Sequence, residues 1–229
     1  MEWPAWEPHY RALCAQFGYR EADDLAAARE LRPLVPAASR FRNLGVLVRN
    51  RKEVAVVGAG PSLERTQPAA LAGRTIVACD GATSWLRENG LLPQVVVTDL
   101  DGKPEDLLWA AAQGSSMAVH AHGDNRPALR ELAPRLGPQL YGTYQCAPQP
   151  DLEPMRNVGG FTDGDRAVLL CEALGARSVL LFGFDFDAPP SRYSHRWDPA
   201  TKPAKLAWAE RLVGEAAARG KMGVTRYMP

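Results

Sequence analysis

Hydrophobic and polar positions divide the chain into two textures. Within the first fifty residues, Leu25, Ala28, Leu31 and Val35 recur at helical spacing behind Asp23 and Asp24. Either acid can cap that helix, and Pro33 and Pro36 limit its run. Residues 1–50 therefore read as a small N-terminal helical cap. From Glu53 onward, short β-rich runs alternate with helical patterns. The runs are 54–57, 75–79, 95–98, 117–121 and 178–182. Most are nearly continuous apolar segments, as in strands covered on both faces. Helical patterns fall near 84–89, 104–113, 127–136 and 163–174. A last one runs from Lys202 to Arg219, with Pro203 near its start and Gly220 just past its end. The Pro- and Gln-containing stretch 141–158 reads as a loop or an edge excursion. Such alternation predicts an α/β fold, a doubly wound and mostly parallel sheet, with residues 51–229 forming the main α/β domain.

In such sheets ligands bind beyond the carboxyl ends of the strands, so the residues there are the candidates. After the first run comes Gly58-Ala59-Gly60-Pro61-Ser62-Leu63. Its glycines allow close backbone approach, and free N–H groups at the turn could cradle phosphate. It is neither GxGxxG nor a Walker loop. The next two runs end in Asp80-Gly81 and in Asp99-Leu100-Asp101-Gly102. Asp99 and Asp101 would share a face if strand geometry persisted. A helix cap or a turn accounts for one such acid; a cation accounts for all three, because packed carboxylates resist ionisation without one. Oxygen ligands of this kind suit Mg²⁺.

The fourth run ends in His120-Ala121-His122-Gly123-Asp124. His120 is expected inside the strand and His122 on its rim. A zinc site is less favoured than a contact from His122 or Asp124 to phosphate or to metal-bound water. Asn157, Gly159, Gly160, Phe161, Thr162, Asp163 and Asp165 precede or open a helix and could shape a floor for a planar polar ring. Phe184 and Asp185 follow the fifth run, where an aromatic ring can stack on a heterocycle and an acid can accept its N–H groups. Lys202 and Lys205 oppose the dipole of the last helix, which suggests a phosphate nearby; solvated lysines are the alternative.

Composition narrows the partners. The chain has 229 residues, 46% of them apolar and 23% charged, with a net charge of +1. Nothing advertises a nucleic-acid surface or a polybasic membrane contact. No run approaches a membrane span, and the opening residues carry neither a basic start nor an apolar stretch, so a cytoplasmic protein is expected. The four cysteines form no CxxC pair and are expected to be buried thiols. A homodimer is left open.

Six motifs in order carry a family resemblance: Gly58 to Leu63, Asp80-Gly81-Ala82, Val97 to Gly102, His120 to Asn125, Gly159 to Ala167, and Gly183 to Phe186. Together they resemble the archaeal 6-hydroxymethyl-7,8-dihydropterin pyrophosphokinases and, more distantly, the thiamine pyrophosphokinases. The resemblance implies a transferase with ATP as donor, Mg²⁺ as cofactor and AMP as leaving group, acting on a hydroxymethyl-dihydropterin for a folate- or methanopterin-type coenzyme. It carries a metal role to Asp99 and Asp101, and makes Thr162-Asp163 a substrate or metal contact. Asp124 or Asp101 is the expected proton acceptor. The Gly and Ser that flank the acid pair in thiamine pyrophosphokinases are absent here, which weakens the case for thiamine, the nearest alternative acceptor within the enzyme class. The rival class is a sialyltransferase-like glycosyltransferase with a nucleotide-sugar in the glycine loop; a non-catalytic nucleotide sensor ranks below both.

Overall fold

The computed structural model describes residues 1–49, 53–195 and 198–229. The helical elements before the sheet are α1 (Trp3–Phe17), α2 (Glu21–Leu31) and α3 (Phe41–Val48). There follow β1 (Val54–Val57), β2 (Thr75–Cys79), α4 (Ala82–Glu88), β3 (Val95–Thr98), α5 (Pro104–Ala112), β4 (Ser116–Ala121), α6 (Arg126–Leu132), β5 (Leu140–Tyr144), α7 (Asp163–Ala173), β6 (Ser178–Phe182), α8 (Lys202–Ala218) and β7 (Gly223–Arg226). The strands form one sheet in the order β5-β4-β3-β2-β1-β6-β7, every neighbouring pair parallel.

Side-chain alternation divides the core into two layers. Ala55, Val57, Ile76, Ala78 and Val96 face a cluster shared with α1, α2, α4, α5 and α6. Val54, Val56, Val77, Val95 and Val97 face one shared with α3 and α7 and with most of the buried face of α8. Burial on both sides explains why these strands read as unbroken apolar runs. Trp6, Tyr10 and Leu31 pack into the first cluster, so the N-terminal helices share the sheet's core. The expected junction between cap and catalytic unit, at 50–51, lies outside the described residues.

Two expectations change. Neither Asp23 nor Asp24 caps α2, whose N-cap is Arg20. Asp23 pairs with Arg20, and the buried Asp24 accepts hydrogen bonds from Tyr10 Oη at 2.7 Å, Gly123 N at 2.8 Å and Gln145 Nε2 at 2.9 Å. Residues 141–144 of the stretch expected as a loop or edge excursion belong to β5, an edge strand whose outer side is covered by Arg156, while 145–158 are largely irregular. Turn-forming residues just after β5 masked its Leu-Tyr-Gly-Thr-Tyr pattern. The strand order reverses at β1, which lies between β2 and β6, and this is the crevice where open α/β sheets bind ligands.

Candidate active site

Asp80 follows β2 directly, at φ +38°, with its N–H bonded to Val97 O at 2.8 Å. The Thr98 hydroxyl donates to Asp80 Oδ1 at 2.5 Å and accepts from Leu100 N at 2.8 Å. Asp99 and Asp101 converge by a route other than strand alternation. β3 ends at Thr98, and Leu100 takes φ +69°, a left-handed conformation that costs a β-carbon residue on the order of 1–3 kcal/mol. The reversal buries the Leu100 side chain, turns both acids to one site and lets Asp101 N donate to Asp99 Oδ1 at 3.2 Å. Gly102 is required beside them, since a Cβ there would stand 2.5 Å from Asp80 Oδ2.

A fourth acid joins from the opposite side. Asp163 opens α7, whose N-terminus is fixed by a capping box between Thr162 and Asp165. Oxygens of Asp80, Asp99, Asp101 and Asp163 all lie within 4.8 Å of one another, and this cluster contains no histidine or cysteine. That donor set suits a hard cation and not zinc. Buried Arg166 contacts Asp163 at 3.1 Å as a local counter-charge. Burial, with the neighbouring Asp101, Asp163 and Asp99 charges, pushes Asp80 well above the carboxylate range. Burial and Asp99 do the same to Asp163, and raise Asp101 to about 6. Asp99 differs. Burial raises it, but the hydrogen bond and charge of His122 outweigh that and leave it at about 2. Three acids that resist ionisation around one held ionised form a site short of positive charge.

The cluster borders a cavity of about 350 Å³ reaching the β1/β6 crevice. Gly58, Gly60, Pro61 and Gly81 line it, as do Phe184, Asp185, Lys202 and Lys205. The glycine loop offers less than expected. Gly58 N donates to Phe182 O, Gly60 N to Gly183 O, Leu63 N to Gly60 O and Ser62 N to Asp185 Oδ2. These four N–H groups are committed within the protein, so they do not form a free phosphate cradle. The glycines serve contact instead: a Cβ on Gly58 would stand 2.8 Å from Gly183 O, and one on Gly60 would stand 2.7 Å from that same oxygen and collide with the Asp185 carboxylate. Ser62 and Leu63 are buried behind the loop.

A second cavity, of about 110 Å³, lies on the other flank, lined by His122, Asp124, Asp24 and Gln145 among others. Its lining shares Asp99, Phe161 and Lys205 with the first. His120 is buried in β4, 3.0 Å from Thr143 Oγ1, while His122 sits on the rim. Asn157, Gly159, Gly160 and Asp165 line neither cavity. Asn157 donates to the Gln145 and Cys146 carbonyls, Gly159 and Gly160 pack against Trp6 and Arg166, and Asp165 accepts from Phe161 N and Thr162 N. They shape the loop that carries Phe161, Thr162 and Asp163. The reading of the sequence left Asp163 outside the metal set, although the Thr162-Asp163 pair had marked it as a contact. Tyr19 and Asp24 were not expected at the site; they line the second cavity with Gln145, which comes from more than a hundred residues away without a local signal.

The family model for 6-hydroxymethylpterin diphosphokinase MptE-like proteins matches residues 29–190. The chain belongs to this family. A Pyrococcus furiosus protein named 6-hydroxymethyl-7,8-dihydropterin pyrophosphokinase is 37% identical over 99% of both chains. One of the same name from Methanothermobacter thermautotrophicus is 38% identical over 99% of this chain and all of its own length. A third, from Methanocaldococcus jannaschii, is 32% identical over 85% of this chain and 84% of its own. Among solved structures, the Maf glycosyltransferase from Magnetospirillum magneticum AMB-1 superposes with a TM-score of 0.53 at 16% identity, over 88% of this chain. This MptE-like chain spans only 38% of that glycosyltransferase, and the likeness is one of fold. No helix among the described residues of the MptE-like chain is long and apolar enough to cross a membrane.

Proposed function

We propose that the chain transfers the diphosphate group of ATP to the hydroxymethyl arm of 6-hydroxymethyl-7,8-dihydropterin and releases AMP, in the making of a folate- or tetrahydromethanopterin-type coenzyme. Family membership supports the reaction class, and one observation carries the site: four carboxylates converge beside a cavity at the sheet's switch point. An all-oxygen set in which three acids are pushed toward the neutral form fits Mg²⁺, with Asp80, Asp99, Asp101 and Asp163 as its holders. When bound, Mg²⁺ would offset the negative charge of the phosphates and of departing AMP.

The protein's own share is positioning and electrostatics. Gly58, Gly60 and Pro61 let the nucleotide approach the β1/β6 crevice, which Phe184 also lines. Lys202 and Lys205 supply cations to the phosphate chain. The acceptor hydroxyl forms a bond to the β-phosphorus, the bond from that phosphorus to the α,β-bridging oxygen breaks, and AMP leaves with that oxygen. The hydroxyl proton passes to a carboxylate, Asp101 at the cluster or Asp124 at the rim.

Incubation with β-³²P-labelled ATP, Mg²⁺ and the dihydropterin tests this. Label in the pterin product with unlabelled AMP in equal amount supports it. Formation of ADP, or transfer only to thiamine, contradicts it.

A further inference from the structure

We infer that the smaller cavity is the acceptor-ring site, and that the hairpin of N-terminal helices is part of the substrate pocket. This deepens the proposed diphosphate transfer and rests on it for the identity of the ring. Strand order supplies the first argument. Gly58 after β1 and Gly183 after β6 lie on one flank of the sheet's carboxyl edge, and Asp80, Asp99 and Asp101 lie in the middle. His122 after β4 and Gln145 after β5 lie on the other flank. An in-line displacement needs its attacking and leaving oxygens on opposite sides of the phosphorus. Two cavities on opposite sides of a shared wall, Asp99, Phe161 and Lys205, meet that need.

Size and lining assign the occupants. A water needs about 10–15 Å³ of this measure. The smaller cavity, at about 110 Å³, takes a compact ring system, and the larger, at about 350 Å³, a nucleotide. One wall of the smaller cavity is aromatic: Tyr19 and Phe161 stand 6.3 Å apart, both against Phe17. The rest is rich in acceptors. Asp24 and Gln145 are buried with fixed orientation, Gln145 Nε2 donating to Asp24 and Gln145 Oε1 lying 3.4 Å from His120 Nε2. Asp124 stands at the rim with an exposed carboxylate. A flat face on aromatics, with carboxylates at the edge, matches an aminopyrimidinone ring whose amino and ring N–H groups are donors.

Two substitutions on opposite flanks provide the test: Tyr19→Ala in the smaller cavity and Phe184→Ala in the larger, with Tyr19→Phe as the conservative control. Binding is read directly, without ATP, from the fluorescence of oxidised 6-hydroxymethylpterin, and KM is measured for both substrates. Tyr19→Ala is expected to weaken pterin binding and raise the pterin KM tenfold or more, leaving the ATP KM within twofold; Tyr19→Phe stays near the parent. Phe184→Ala shows the reverse pattern. Unchanged pterin binding in Tyr19→Ala, its loss in Phe184→Ala, or no pterin binding by the parent overturns the assignment. A rise of both KM values in Tyr19→Ala also counts against it. If the parent binds pterin through Tyr19 but releases no AMP, the cavity stands and the diphosphate transfer falls.

Discussion

His122 Nε2 stands 3.2 Å from Asp99 Oδ2, while Nδ1 of the same ring accepts the Asp124 N–H at 3.3 Å. With Nδ1 accepting, Nε2 is the ring nitrogen that donates to Asp99. Asn125 Nδ2 holds the Asp99 carbonyl at 2.8 Å, so the residue is fixed at both backbone and carboxylate. His122 is thus a positioning residue for the one acid of the cluster kept ionised at about 2.

Replacing His122 by Ala should weaken Mg²⁺ binding by roughly 10–100-fold, the usual range for a partner behind a metal ligand. Turnover should recover largely at high Mg²⁺. A Mg²⁺ titration of initial rate measures this, and a kcat loss that no Mg²⁺ concentration repairs would give His122 a direct part in the chemistry.

Asp80 is buried among like charges, with burial as the main cause of its raised pKa. Asp80→Asn keeps an oxygen to accept from Thr98 and removes a charge that the fold resists. The metal-free variant should be more stable by about 1 kcal/mol, or roughly 2–4 °C in Tm for a chain of this size, while activity falls at least a hundredfold. Thermal melts in EDTA beside turnover assays check both.

Asp101 titrates at about 6 when folded, against about 4 in an unfolded chain. Between those values the folded state holds the extra proton. The stability it confers is complete below about pH 4 and lost as pH rises through 6. Burial moves Asp80 and Asp163 in the same direction. In EDTA, Tm should fall between pH 4.5 and 7.5, and less so in Asp101→Asn. Mg²⁺ should raise Tm more at pH 7.5 than at pH 5; an equal rise at both would detach the cluster from the metal.

At Gly60 a β-carbon would collide with the Asp185 carboxylate and stand 2.7 Å from Gly183 O. Backbone on one side leaves little room to yield. Gly60→Ala should cost about 1–3 kcal/mol and raise the ATP KM, read by urea unfolding and steady-state kinetics.

Much of this site was legible because its acids sit where strands end. Five apolar runs gave β1, β2, β3, β4 and β6, and reading past each end found Asp80, Asp99 and Asp101. Less legible were features set by tertiary contact. α1 and β7 have weak or exposed patterns, and the turn at Leu100 puts a β-branchless but bulky residue in a conformation that sequence seldom signals. The glycine loop was found for its residues but misread in its hydrogen bonding, because three of the four N–H partners come from the end of β6 and the segment after it, more than a hundred residues away. Asp24 looked like a cap by position and became a buried acceptor through Tyr10 and Gln145.

The central claim is that Asp80, Asp99, Asp101 and Asp163 hold a divalent ion against the ATP phosphates. Titrating Mn²⁺ as a paramagnetic stand-in, with α,β-methylene-ATP present, measures it by electron paramagnetic resonance. Tight, saturable binding by the parent chain and a loss of a hundredfold or more in both Asp99→Ala and Asp163→Ala is the expected result. Equal Mn²⁺ affinity in parent and variants, each shown to be folded, would contradict it.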